Sequence, residues 1–233
     1  MGIPVKLEVF EGPLDLLLHL IEKNKVMNLT AITELSDVIT KHFVDSLLLV
    51  LAAPELGLKL DASSKYSCID VGTGAGFPGI PLKIAFPGLK ITLLDSLNKR
   101  VGFLNEVIEA LGLTDITAVH GRAEDYGRDP KYREQFDLCV SRAVANMSTL
   151  SEYCIPFVKK GGYFIPYKSG KADEEIEQAK SAVKKLGGEL KEVIVKVLPE
   201  TDVERTFVPV KKMAVTAKKY PRKAGLPGKE PLK

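Results

Sequence analysis

The spacing of apolar residues divides the chain into two parts. In the first part, residues 14–24 carry a leucine-rich helical face, and residues 33–53 repeat apolar positions at helical spacing. Pro54 and Gly57 then end the helical pattern. We therefore predict a helical extension over residues 1–60, packed on the domain that follows.

In the second part, short apolar runs alternate with stretches of helical spacing. The runs are typical of buried parallel strands and lie at 67–71, 91–95, 116–120, 136–141 and 163–166. The helical stretches lie at 80–86, 99–111, 147–157 and 174–186. Two further runs, 190–198 and 207–216, alternate like strands without a helix between them, so we expect one of them to pair antiparallel at the sheet edge. The alternation predicts an α/β fold with a doubly wound, mostly parallel sheet of seven strands over residues 61–218.

Composition narrows the class of protein. The chain has 233 residues, which is enough to bury one hydrophobic core. Its net charge of +3 is small, so we expect the main domain to be nearly neutral. Lys and Arg predominate from Lys211 onward, where Glu230 is the only acid, and we expect residues 219–233 to form a basic C-terminal tail. Such a tail is expected to contact RNA phosphates without taking part in cofactor binding.

The sequence disfavours a membrane protein, a metal-binding protein and an oligomer. The longest apolar run, 47–53, is too short to cross a bilayer, so no membrane partner is expected. The three cysteines lack CxxC spacing and the histidines are scattered, which indicates a cytoplasmic protein without a metal site. No long apolar stripe is left over once the core is assigned, so we expect a monomer.

A glycine-rich loop between the first strand and the next helix is the strongest local signal. Its glycines, which allow a sharp turn and a close approach of a ligand, are Gly72, Gly74, Gly76 and Gly79. The last three match a dinucleotide fingerprint, so a dinucleotide oxidoreductase is one alternative. However, Pro78 has no N–H to offer a pyrophosphate, and the carboxylate of Asp70 suits the ammonium and sulfonium charges of S-adenosylmethionine.

Two further loops support an adenosine-containing ligand. Asp95 lies about 20 residues beyond the glycine loop, where a carboxylate can accept both ribose hydroxyls, and Ser96 follows it. Glu124, in the loop after the third strand, would reach the adenine. Together the loops predict the Rossmann-like fold of class I S-adenosylmethionine methyltransferases.

The end of the fourth strand and the cysteines indicate which methylation reactions are disfavoured. The strand ends at Arg142 without the Asn/Asp-Pro-Pro-aromatic motif of methyltransferases that act on exocyclic amino groups. Cys139 and Cys154 fit core positions, so no cysteine nucleophile is expected. Guanine N7 has a lone pair and no proton to lose, and its methylation needs positioning rather than a general base.

Six segments together resemble the ribosomal RNA small subunit methyltransferase G family, also called glucose-inhibited division protein B. They are Asn24–Ile32, His42–Leu47, Asp70–Pro81, Leu94–Ser96, Ser141–Ala143 and Pro221–Gly225. The resemblance extends from about residue 24 to residue 233. It implies transfer of a methyl group from S-adenosylmethionine to N7 of one guanosine in 16S rRNA, near the decoding site of the small ribosomal subunit.

The resemblance and the motifs together give the candidate site residues. The family motifs imply cofactor contacts by Gly72, Phe77, Ala123, Glu124 and Arg142, to which the loop arguments add Asp70, Gly74, Gly76, Asp95 and Ser96. The catalytic candidates, which flank strand ends or carry charge, are Arg142, His42 and Lys168. The RNA-binding candidates are Asn28, Asp45, Arg205, Arg222 and Lys223. Structural alternatives stay open: Asn28 as a helix cap, His42 as a partner of Asp45, and Lys168 as a solvated side chain.

The first residues are similar to a different protein. Residues 5–23 resemble the start of segregation and condensation protein A, so a chimeric or designed chain is one interpretation.

Two other functions remain as alternatives to the rRNA methyltransferase. One is a methyltransferase of the same fold with a small-molecule substrate, and the other is a catalytically silent module that binds cofactor or RNA.

Overall fold

The structure is a computed structural model, and it describes residues 11–27, 29–32, 34–170 and 172–233. Asn28, an RNA-binding candidate, lies outside the described residues. No helix in the described ranges is long and apolar enough to span a membrane. The same ranges contain no cluster of three side chains that could hold a metal ion.

The N-terminal extension is helical but not regular. It comprises α1 (Glu11–Met27), α2 (Leu35–Val38), a π-helical stretch (Ile39–Val44), α3 (Asp45–Leu47), α4 (Leu49–Ala52) and a 3₁₀ turn (Ala53–Leu56). The single helix predicted over residues 33–53 is therefore interrupted. A π-helical turn inserts extra backbone into the helix and so changes which side chains face the domain. Here the change places Phe43 and Asp45 inward, while Ile39 is exposed.

The domain that follows alternates strands and helices as the sequence predicts. The strands are β1 (Ser67–Val71), β2 (Lys90–Asp95), β3 (Ile116–His120), β4 (Phe136–Arg142) and β5 (Val158–Ser169). The helices are α5 (Gly79–Ala85), α6 (Asn98–Ala110), α7 (Ala123–Tyr126), α8 (Met147–Cys154), which continues as a 3₁₀ turn (Ile155–Phe157), and α9 (Asp173–Lys185). The last elements are β6 (Gly188–Leu190), β7 (Ile194–Val197), β8 (Glu204–Phe207), β9 (Val210–Lys212) and α10 (Leu226–Lys229).

The sheet is parallel on one side and antiparallel on the other. In the described residues the sheet has nine strands rather than the predicted seven. Its main path is β3-β2-β1-β4-β5-β8-β7, of which the first five strands are parallel. Short strands β6 and β9 extend it, since β9 pairs antiparallel with both β5 and β6. The run predicted at 207–216 therefore does not form one strand. Pro209, which has no N–H for a ladder, separates β8 from β9.

Two apolar layers cover the two faces of the sheet. Alternation along β1 places Cys68 in one layer and Ile69 in the other. The first layer also contains Leu16 and Leu20 of α1, so the N-terminal extension packs on this face. Cys139 and Cys154 are fully buried and unpaired in the second layer, and burial raises the pKa of the Cys139 thiol well above its usual range. Their predicted role as core residues is confirmed.

The basic segment 219–233 packs against the domain. Tyr220 and Pro227 are buried, and α10 contacts α8. The guanidinium groups of Arg128 and Arg133 donate to the carbonyl oxygens of Pro221 and Tyr220, at 2.8 Å in each case. This segment therefore forms part of the folded domain rather than a separate tail.

Candidate active site

Parallel pairing brings the ends of four strands together at one edge of the sheet. Asp70 of β1 is opposite Val140 of β4, and Asp95 of β2 is opposite His120 of β3. The loops that follow these strands therefore share one edge, where ligands bind in open α/β sheets. The glycine loop lies at the centre of this edge.

The glycine loop has a backbone that other residues would strain. Gly72 has a φ of +72°, and a Cβ placed on it would lie 2.5 Å from the Val144 side chain. Gly76 has a φ of +95°, and its Cβ would lie 2.4 Å from Ile80. L-residues rarely adopt this region, so only glycine provides both the conformation and the space.

Asp70 stabilises the glycine loop through hydrogen bonds. Its Oδ2 accepts hydrogen bonds from Thr73 Oγ1 at 2.7 Å and from the Gly79 N–H at 2.9 Å. The carboxylate is fully buried, which raises its pKa to about 6, and Oδ1 has no partner among the described residues. Oδ2 is thus bound within the loop, and our expectation that Asp70 faces the charges of the cofactor stays a prediction for Oδ1.

Asp95 is also turned toward protein backbone. Its Oδ2 accepts from the Gly74 N–H and its Oδ1 from the Leu97 N–H, both at 2.9 Å, and the residue is 2% exposed. We expected this carboxylate to face ribose hydroxyls, but in this structure it fixes the glycine loop against the loop after β2. The side of that loop which faces open space is formed by Ser96 and Leu97.

A cavity of about 390 Å³ opens in front of these loops. Four of the predicted cofactor contacts line it, and the lining residues are Val71, Gly72, Leu94, Ser96, Leu97, Gly121, Arg122, Ala123, Glu124, Val144, Tyr153 and Gly225. Its size lies in the range of small-molecule sites. Apolar walls from Leu94 and Val144, with oxygen acceptors on Ser96 and Glu124, fit a nucleoside such as that of S-adenosylmethionine.

A charged cluster lies next to Phe77 of the glycine loop. We call Asp45, Arg142 and Arg205 the Asp–Arg cluster. Arg142 Nη1 donates to Asp45 Oδ2 at 2.6 Å, while Arg205 donates from Nε to Oδ1 at 2.6 Å and from Nη2 to Oδ2 at 2.9 Å. The Asp45 side chain is 0% exposed, and those of Arg142 and Arg205 are 10% and 13% exposed. Asp45 thus orients two cations and does not itself face solvent.

His42 connects this cluster to the glycine loop. Its ring stacks on that of Phe77 with centroids 4.8 Å apart, and the Arg142 guanidinium lies 5.4 Å from the Phe77 centroid. Arg142 Nη2 lies 3.3 Å from His42 Nδ1, so Nδ1 accepts and Nε2–H is left to donate to Thr30 Oγ1, 2.7 Å away. Burial and then the Arg142 charge lower the pKa of His42 to about 4. The imidazole is therefore neutral at pH 7, and its hydrogen-bond partners are Thr30 and Arg142 rather than Asp45.

Lys168 lies near Arg205 in a smaller cavity of about 140 Å³. Its Nζ donates to the Ala145 carbonyl at 2.9 Å and forms an ion pair with Glu175 Oε2 at 2.6 Å. With 13% of its side chain exposed, Lys168 is not a solvated lysine. Glu175, which also accepts from the Met147 N–H, was not predicted because a surface acid of a helix carries no such signal in the sequence.

The C-terminal segment contributes residues that the sequence did not indicate. We call residues 220–229 the C-terminal strap. Gly225 of the strap lines the larger cavity, and its N–H donates to Glu124 Oε1 at 2.7 Å. Arg222 donates to the buried Glu152, whereas Lys223 is exposed. Of the two strap candidates for RNA contact, Lys223 is thus the one with a free surface.

Comparison with protein families gives a single assignment over most of the chain. The model of a family described as rRNA small subunit methyltransferase G matches residues 14–208. A relative of that name from Lachnoclostridium phytofermentans is 55% identical over 97% of this chain and 90% of its own length. One from Limosilactobacillus reuteri is 46% identical over 99% of this chain and 94% of its own length. These alignments include most of residues 5–23, and the resemblance of that stretch to a chromosome protein stays a prediction.

Solved structures with low identity share the fold. Aeropyrum pernix fibrillarin with natively bound S-adenosyl-L-methionine gives a TM-score of 0.54 at 15% identity, covering 72% of this chain and 76% of that one. M. jannaschii TYW2 in complex with AdoMet gives 0.52 at 15% identity, covering 70% and 76%. The Rossmann-like fold predicted from the sequence is confirmed.

Proposed function

Because this chain belongs to the rRNA small subunit methyltransferase G family, we propose that it transfers a methyl group from S-adenosylmethionine to N7 of one guanosine in 16S rRNA, near the decoding site. One observation carries the proposal. The glycine loop contributes Gly72 to a nucleoside-sized cavity and Phe77 to the stack formed with His42 and Arg142. One short loop would therefore contact both the cofactor and the target nucleobase.

We assign the cofactor contacts to two sets of residues. Gly72, Ser96, Ala123 and Glu124 line the cavity and would touch the cofactor. Asp70 and Asp95, with Gly74 and Gly76, would act by fixing the loop that these contacts depend on. When bound, S-adenosylmethionine supplies an electrophilic methyl group on a positively charged sulfur.

The proposed reaction requires the target guanine to be positioned but not deprotonated. Guanine N7 presents an in-plane lone pair, so no side chain has to accept a proton. His42 is neutral and stacked, and Arg142 is held by Asp45, which gives both groups fixed positions. We assign them the orientation of the target guanine, with the Arg142 guanidinium as a donor for its O6 acceptor.

Three cations would hold the RNA backbone. Lys223 is exposed, whereas Lys168 and Arg205 each have 13% of the side chain exposed and are bound to carboxylates. We assign phosphate contacts to Lys168, Arg205 and Lys223, and an RNA contact to Asn28. Such contacts set affinity and orientation without reading sequence. Arg222, whose guanidinium is bound to Glu152, would in addition hold the C-terminal strap in place. We further propose that the protein works as a cytoplasmic monomer on the small ribosomal subunit.

One experiment tests the function directly. The protein is incubated with methyl-labelled S-adenosylmethionine and small subunits that lack the modification, and the labelled nucleotide is mapped by primer extension after cleavage at 7-methylguanosine. We expect one labelled guanosine in 16S rRNA near the decoding site. Label at an exocyclic amino group, or transfer only to small-molecule acceptors, would refute the proposal. Arg142→Lys, which keeps the charge but loses the planar fork, should bind cofactor and transfer slowly.

A further inference from the structure

We propose that the C-terminal strap is a wall of the cofactor site, and that Glu152 is a positioning residue which holds it there. The inference rests on the proposed function, because it requires S-adenosylmethionine to occupy the cavity of about 390 Å³. It reverses our sequence-based expectation that residues 219–233 are dispensable for cofactor binding. In its place it assigns the strap to the end of the cavity where the adenosine would lie.

The strap reaches the cavity at one residue. Gly225 lines the cavity together with Tyr153 of α8, and its N–H donates to Glu124 Oε1 at 2.7 Å. Glu124 is 5% exposed and follows β3, the strand whose loop lies at the adenine end of such sites. One carboxylate thus contacts both the strap and the cavity, so displacement of the strap changes the surface on which the adenosine packs.

Glu152 is the anchor that fixes this position. Its side chain is 0% exposed, and its Oε1 accepts from the Arg222 N–H at 2.7 Å and from Nε at 2.9 Å. Its Oε2 accepts from Arg222 Nη2 at 2.7 Å. A buried carboxylate that loses its cation is strongly disfavoured, so this pair restrains the strap far more than a surface pair would.

Two further hydrogen bonds restrain the chain on the C-terminal side of Arg222. Thr149 of α8 donates from Oγ1 to the Pro227 carbonyl at 3.0 Å. Arg222 Nη2 also donates to the Glu230 carbonyl at 2.6 Å. Since α8 carries Thr149, Glu152 and Tyr153 on the strap and cavity side, that helix transmits the position of the strap to the cavity wall.

The first test is cofactor binding without RNA. Titration calorimetry measures the affinity of full-length Glu152→Gln for S-adenosylmethionine, S-adenosylhomocysteine and adenosine. The control is Glu177→Gln, which removes a carboxylate from an exposed pair on α9. We expect Glu152→Gln to bind all three ligands about tenfold more weakly, a size typical of coupling between sites. The ratio of the first two affinities should stay at the wild-type value, because the sulfonium end is unchanged.

A second pair of variants decides the question if Glu152→Gln does not fold. Gly225 has a φ of +81° and open space where a Cβ would lie. Asparagine tolerates this conformation and a β-branched residue does not. Gly225→Val should therefore lose affinity for adenosine, and Gly225→Asn should retain it, with both variants showing native circular dichroism.

Three results separate the possible outcomes. Variants that melt at lower temperature but bind the three ligands within twofold of wild type would overturn the proposal, because the strap would then be structural only. A changed ratio of S-adenosylmethionine to S-adenosylhomocysteine affinity would overturn its placement at the adenosine end. Failure of the wild-type protein to bind S-adenosylmethionine would instead refute the proposed function.

Discussion

Replacement of Asp45 by asparagine tests whether the Asp–Arg cluster is held together by one buried charge. Asparagine keeps the volume of the side chain but leaves two guanidinium groups facing each other without a counter-ion. Asp45 is 0% exposed and both arginines are largely buried, so water screens this repulsion poorly. Removal of one partner from a buried pair costs about 3–5 kcal/mol of unfolding free energy. For a domain of this size, a loss of about 3 kcal/mol corresponds to roughly 6–12 °C in Tm.

Urea unfolding followed by circular dichroism measures this cost. The matched control is Asp37→Asn, since Asp37 forms an exposed ion pair with Lys41 at 2.9 Å, and its loss should cost no more than about 0.5 kcal/mol. Asp45→Asn should also lower the rate of methyl transfer more than cofactor affinity, because Arg142 loses the group that orients it. An unfolding free energy within about 1 kcal/mol of wild type, with unchanged turnover, would show that Asp45 does not organise the site.

Three further predictions follow from the titratable and exposed groups. Burial raises the pKa of Asp70 to about 6, so the native state holds its proton more tightly than the unfolded state. Stability should therefore fall by about 3 kcal/mol as pH rises from 3 to 7, and Asp70→Asn should flatten this fall in urea unfolding. The pKa of His42 is lowered to about 4, so the native state excludes a proton and stability should be lost as pH falls from 6.5 to 4; if His42→Asn shows the same loss, the assignment is incorrect. Lys223→Gln should reduce the salt dependence of subunit binding by about one charge and leave cofactor affinity unchanged, and an unaltered salt slope would contradict its role.

Local features of the sequence were sufficient for much of the fold. Strands β1 and β3 begin and end where the apolar runs predict. The central strand β1 is buried on both faces, whereas β3 lies at the edge of the sheet and buries only Ile116. The glycine loop was equally accessible, since φ values that only glycine tolerates leave a direct trace in the sequence. The interruption in the N-terminal helix could not be predicted, because the apolar spacing of residues 33–53 is the same for a regular helix.

Contacts between distant residues could not be predicted from the sequence. Gly225 and Glu124 are 101 residues apart, and Arg222 and Glu152 are 70 apart, so their pairing depends on the completed topology. The same holds for Asp95, whose carboxylate was expected to face a ligand but is bound to the backbone of Gly74. A motif identifies which residues gather at the edge of a sheet, but the direction in which each side chain points depends on the packing around it.

The positions of the Asp45 partners along the chain determine when during protein synthesis its charge is neutralised. Its two cationic partners lie 97 and 160 residues further along the chain. An N-terminal fragment emerging from the exit tunnel would hold a carboxylate with no counter-ion, and then one cation, before the second arrives. The Asp–Arg cluster is thus complete only after Arg205 has been translated, so the charge of Asp45 is fully paired only late in synthesis.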